Sequence, residues 1–136
     1  MNRFGRSLAG ACVAAFAGLA LFSAQAQAQA YPTRSITMIV PFAAGGPTDV
    51  IARIVTGHMA QTLGQTIIIE NVVGAGGTTA TTRASRAAND GYTLITGHMG
   101  THAASVPLYP NLAYHPEKSF EPVGLLAGTP ILILAR

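Results

Sequence analysis

The sequence predicts an α/β protein built on a parallel sheet, and three observations carry that prediction. Three short apolar runs, Ile36–Val40, Gln65–Asn71 around Ile67-Ile68-Ile69, and Tyr92–Thr96, read as strands. Each is followed by a glycine-rich loop: Gly45-Gly46, then Gly74-Ala75-Gly76-Gly77, then Gly97 to Gly100. The first two loops open onto stretches with helical character. Strands that alternate with helices in this way lie parallel, and such sheets bind ligands beyond the carboxyl ends of their strands.

The first 30 of the 136 residues are read apart from the fold. Met1–Arg6 carries two arginines and no acid, Leu8–Phe22 is apolar and alanine-rich, and Ala24–Ala30 offers three overlapping A-x-A sites. This is the layout of a cleavable secretory signal peptide. The apolar run is short for a membrane span, and Cys12 lies too early for a lipoprotein site. Tyr31 is the expected mature start, which implies a periplasmic location. Arg3 and Arg6 supply two of the three net positive charges, and no basic stripe follows, so the composition argues against nucleic-acid binding. The single cysteine also lies in this segment, leaving no disulfide or thiol chemistry in the rest.

Tyr31–Ser35 leads into the first strand, and Pro41–Asp49 is the turn from that strand into a helix. Ile51, Ile54, Val55, Met59 and Leu63 set the expected buried face of the helix, which starts at Thr48 as N-cap and ends near Gly64. Gly45 and Gly46 leave the main chain open to close approach, and the free N–H groups of the first helical turn attract anions such as carboxylates. The plainer alternative is a βα loop whose glycines serve only the turn. Asp49 is expected either to compensate loop N–H groups, to meet a ligand amine, or simply to favour the first helical turn.

The second strand is expected to be buried on both faces. Thr78–Ala88 reads as a short helix with Ala80, Ala84 and Ala87 on a small-residue face, and Asn89-Asp90-Gly91 as a turn. Past residue 103 the pattern loosens, because Pro107, Pro110 and Pro116 break helices. Val123–Ala127 and Pro130–Ala135 read as strand-like apolar runs.

The chemical motifs are mostly negative. Gly74–Thr79 lacks the third glycine of a dinucleotide fingerprint, and no P-loop is present. His98 and His102 share the four-residue spacing of zinc proteases, but Met99 stands where those have glutamate, so no metal site and no cofactor are expected. No acids pair for acid/base work, and no G-x-S-x-G elbow occurs.

Tyr31-Pro32, Ile36–Asp49, Leu63-Gly64-Gln65, Glu70-Asn71, Gly74–Gly77, Asp90–Leu94, Gly100-Thr101-His102, Leu108-Tyr109 and Phe120–Val123 together carry a resemblance. In that order and spacing, the chain resembles the Bug-type periplasmic solute-binding receptors of the tripartite tricarboxylate transporter family. The resemblance implies a periplasmic-binding-protein-like fold (type II, Venus-flytrap) with two lobes. It also implies small carboxylates or related polar metabolites as ligands, and transporter membrane subunits or a membrane sensor as partners. Carried over residue by residue, the ligand-binding set is Phe42, Ala43, Ala44, Gly45, Gly46, Thr48 and Asp49 in the first loop. In the third it is Thr96, Gly97, Gly100, Thr101 and His102, with Thr101 offering a hydroxyl and His102 either structural or ligand-facing. Pro47 departs from the small polar residue usual there and removes one backbone donor. The chain is shorter than the family, so residues 31–136 are expected to be an incomplete first lobe, with the crossover to a second lobe starting near 125–136. An exported hydrolase, and a non-binding remnant or signalling module, stand as alternatives.

Overall fold

The computed structural model describes residues 30–128. The signal-peptide reading falls on residues 1–30 and lies outside them, Ala30 excepted, as do the run at 130–135 and most of the expected crossover. Three parallel strands form one sheet in the order β2-β1-β3. They are β1 (Ile36–Val40), β2 (Ile67–Asn71) and β3 (Thr93–Ile95). β1 is central and pairs Ile36 with Ile67 on one side and Thr37 with Thr93 on the other.

Helix α1 (Pro47–Leu63) connects β1 to β2, and helix α2 (Thr78–Ser85) connects β2 to β3. The two crossovers leave β1's neighbourhood in opposite directions, and crossovers of this kind are right-handed, so the helices cover opposite faces of the sheet. Met38 and Val40 of β1 pack with Ala52 of α1, flanked by Ile67, Ile69 and Leu94. Ile39 points to the other face, and both it and Ala80 of α2 are buried. A strand enclosed on both faces is nearly continuously apolar, and in Ile36–Val40 the half-buried Thr37 is the one polar residue.

Several expectations are corrected. α1 begins two residues early: Gly46 is the N-cap, in extended conformation, and Pro47 takes the first helical position, where its fixed φ suits the helix. Thr48 is therefore inside the helix. Gly64 does close it in the left-handed conformation, with its N–H on the Ala60 carbonyl. The buried stripe of α1 is Asp49, Ala52 and Thr56, with Ile51, Val55, Met59 and Leu63 half-buried beside it, while Ile54 is 60% exposed. The stripe is small because α1 lies close to the strands, and a bulky residue at 52 would push it off. β2 is not buried on both faces: Ile68 is 49% exposed, because β2 is an edge strand of the described sheet. α2 stops at Ser85, so Ala87 is outside it, and of the small-residue face Ala80 alone is fully buried.

Beyond β3 the chain is more regular than its prolines suggest. A π-helical turn (Gly100–Ala104) runs into the short helix α3 (Ser105–Leu108), and Tyr109 N–H closes it on the Ser105 carbonyl. Pro107 falls within the first turn of α3, and the helix ends one residue later at Leu108. Residues 121–128 form no strand, and Val123 and Leu125 are exposed. Among the described residues no helix is long and apolar enough to cross a membrane.

Candidate functional site

All three glycine loops leave the carboxyl ends of their strands, and they meet at one point. Gly77, in the left-handed region at φ +92°, leaves no room for a side chain. A Cβ there would lie 2.7 Å from Thr101 Cγ2, 3.2 Å from Phe42 Cζ and 3.2 Å from Pro41 Cβ. The second loop thus supplies the gap into which the first and third loops close. Its Ala75–Gly77 turn is 3₁₀, and Tyr109 lies across Gly76, so the loop serves packing.

The first loop is fixed by a buried acid. Asp49 is 1% exposed. Its Oδ2 accepts from Arg53 Nε and from the Gly45 N–H, both at 2.8 Å, and its Oδ1 accepts from Asn71 Nδ2 at 2.9 Å. Arg53, then Gly45, then Asn71 hold the carboxyl far below the usual carboxylate range, against burial, which opposes them. Asn71, the last residue of β2, also donates to the Phe42 carbonyl at 2.9 Å. Of the three roles open to Asp49, the structure uses the first: it neutralises a loop N–H and organises the turn. Gly45 sits at φ +82°, where glycine is required, whereas Gly46 is at φ −74°.

These bonds decide which loop donors remain. Gly45 N–H is spent on Asp49 and Gly46 N–H on the Ala43 carbonyl at 3.3 Å. Phe42, Ala43 and Ala44 N–H have no partner among the described residues, and Ala43 and Ala44 are exposed. Thr48 and Asp49 N–H belong to the first turn of α1, whose first intrahelical bond is Val50 N–H to Gly46 at 3.0 Å. Five backbone donors therefore stand around the mouth of the loop.

The third loop is fixed by neutral groups. Thr101 is fully buried. Its hydroxyl bonds the His98 carbonyl and N–H at 3.1 Å and His102 Nδ1 at 2.8 Å, so it is spent inside the loop rather than offered to a ligand. Thr96 is likewise buried, its hydroxyl against Met38 Sδ. His102 lies over Gly97 and packs its ring against Phe120 at 5.1 Å and Tyr114 at 6.3 Å, the structural one of its two expected roles. Tyr114 is buried and donates to the Thr101 carbonyl at 2.5 Å. Gly100 N–H donates to His98 Nδ1 at 2.7 Å, and the His98 ring stacks on Phe42 with centroids 4.8 Å apart, joining the first and third loops. Burial lowers both histidines below the usual value, and His98 depresses His102 further. Among the described residues no group of three metal-ligating side chains forms. Asn71, Arg53 and His98 were not among the expected site residues. Asn71 carried a signal, since Glu70-Asn71 is one of the recurring motifs.

The tripartite tricarboxylate transporter family receptor model matches residues 51–136. The chain belongs to that family. A curated relative encoded in the TAR-I ttuE–ttuC' intergenic region of Agrobacterium vitis is 46% identical over 112 residues, covering 82% of this chain and 32% of the relative. Among solved structures, MatC from Rhodopseudomonas palustris with bound malate is similar at 61% identity and TM-score 0.69, covering 71% of this chain and 33% of MatC. The periplasmic binding protein BugD is 50% identical with TM-score 0.63, covering 69% of this chain and 31% of BugD. The recognition as a Bug-type receptor and the periplasmic-binding-protein fold class both hold. The chain spans about a third of the length of the relatives it matches.

Proposed function

We propose that this chain supplies one lobe of a periplasmic solute-binding receptor that captures small carboxylates for a tripartite tricarboxylate transporter. The observation that carries the reading is the first loop. Its buried acid is neutralised internally, so the mouth presents backbone donors and a helix start with no competing negative charge. Such a mouth accepts a carboxylate through Phe42, Ala43 and Ala44 N–H and the first turn of α1. Gly45 and Gly46 let a ligand approach the main chain, and Asp49, Thr96, Gly97, Gly100, Thr101 and His102 shape the loops from behind, Gly97 by giving room to the His102 ring. Pro47 costs the mouth one donor without disturbing the helix. The malate seen in MatC supports the ligand class. Export through cleavage near Tyr31, and delivery to transporter membrane subunits, belong to the same reading.

The test is a nuclear magnetic resonance titration of the chain with malate, and with its uncharged diamide as control. Malate is expected to shift the amides of residues 42–44 and 48–49, and the diamide is not. Unmoved amides at millimolar malate would remove the carboxylate reading. Mass spectrometry of the periplasmic protein tests export, and a chain still carrying Leu8–Phe22 would contradict it.

A further inference from the structure

Every polar side chain of the third loop but one is spent within the protein. Thr96 faces Met38, Thr101 is buried on His98 and His102, and the His102 ring is packed between Gly97, Tyr114 and Phe120. His98 differs on each count. It is exposed, and its ring stands at the junction of the first and third loops, stacked on Phe42 with 16° between the planes. Its main chain is fully engaged: its carbonyl accepts from the Thr101 and His102 N–H groups, and its N–H bonds Thr101 Oγ1.

The ring's tautomer follows from geometry. Nδ1 accepts the Gly100 N–H at 2.7 Å, so it carries a lone pair, and the neutral ring must carry its proton on Nε2. Nε2 has no partner among the described residues. Of the ring atoms that a Cβ at Gly100 would meet, Cε1 and Nδ1 lie closest and Nε2 farthest, at 3.7 Å. Stacking on Phe42 and the Gly100 bond together leave the ring little freedom, so binding through it costs little conformational entropy.

We infer that His98 is a ligand-contact residue: its Nε2–H is the side-chain donor that the third loop offers to the carboxylate held by the first. The inference rests on the carboxylate-binding reading and names a residue beyond the loop backbone. His98 serves two ends at once. Nδ1 holds Gly100 in place, and Nε2 reaches the ligand. A hydrogen bond to a charged group makes the expected contribution about tenfold to a hundredfold in affinity.

The experiment uses the full chain, nitrogen-15 labelled, with L-malate as probe. Imidazole spectra of the free protein are expected to show the histidine whose signals are lost in His98→Ala as an Nε2–H tautomer, with its ring signals shifting on malate addition together with the Ala43 and Ala44 amides. His98→Ala is expected to weaken malate binding at least about tenfold, His98→Gln, which keeps an N–H donor, to recover part of that loss, and His58→Ala, on the exposed side of α1, to bind as wild type. Amide spectra of each variant report whether it folds. Should His98→Ala misfold, the ring signals in the wild type and the His98→Gln affinity still decide. Malate binding that leaves the His98 ring unmoved, or that His98→Ala matches, would overturn the inference while leaving the carboxylate reading intact. No malate response anywhere in the wild type would overturn both.

Discussion

The first and third loops leave adjacent parallel strands at the same end of the sheet, yet they are made rigid by different chemistry. The first depends on a charge. Asp49 gathers Arg53, Gly45 and Asn71 around one buried carboxylate. The third depends on neutral hydrogen bonds and rings: Thr101 with His98 and His102, and Tyr114 and Phe120 behind them. The difference fits the proposed task. The loop that meets the ligand's charge with bare N–H groups needs its own anion cancelled from behind, whereas its neighbour needs only shape and one donor. Where they touch, the Phe42–His98 ring stack joins them, and Gly77, which has no side chain, leaves them room to close.

The strongest way to break the comparison is to collapse both loops together. Gly77→Val puts a branched side chain at φ +92° against Thr101, Phe42 and Pro41. Left-handed strain and overpacking together cost roughly 3 kcal/mol or more, and thermal melting is expected to show it. A melting temperature equal to wild type would mean the loops are not joined there. Asp49→Ala comes next and addresses one loop alone. Losing the carboxylate strands Arg53 and frees the Gly45 N–H, so hydrogen exchange at Gly45 is expected to speed up by more than tenfold, as expected for loss of a charged hydrogen bond, while the Thr101 amide stays protected. Equal acceleration in both loops would contradict the independence drawn here.

Tyr114→Phe is the milder counterpart in the third loop. It removes the bond to the Thr101 carbonyl and its contact with Ser105 Oγ, at a cost of about 1–2 kcal/mol. Exchange should rise at residues 98–105 and not at 43–46. The smallest effect is expected from pH. The ring values of His98 and His102 lie below the ordinary 6.5, so the unfolded chain takes up protons first as pH falls through that value, and stability is lost from there downward. Asp49 has its value depressed, so its contribution is intact above the ordinary 3.8 and is lost only as pH falls below it. Melting between pH 7.5 and 5 should therefore decline modestly and loosen the third loop alone. A first loop that opens in that range would reverse the assignment.

The sheet was legible because its signals are local. Ile36–Val40 and Ile67–Asn71 have the β-branched runs of strands, although β2 proves to be an edge strand, and Gly64 closes α1 where a left-handed residue was needed. The first loop's place was legible for the same reason. What its residues do was not, because Asp49 acts through Asn71 across the sheet, and no local pattern reports such a bond. Thr101 shows the converse failure: a hydroxyl in a candidate loop looks available until burial reveals it spent. Pro107 misled because proline forbids a donor, and a turn that needs none there can still wind around it.

The bonds from Asn71 bear on the order in which the molecule assembles. It reaches back 29 residues to Phe42 and 22 to Asp49. A chain emerging from the ribosome with β1 and α1 in place still lacks the clasp that gives the first turn its shape. That turn acquires its final form only when β2 docks alongside β1, so competence to hold an anion is expected to arrive with long-range strand pairing rather than with local helix formation. A ligand present early would find nothing to grip, and folding is completed before recognition begins.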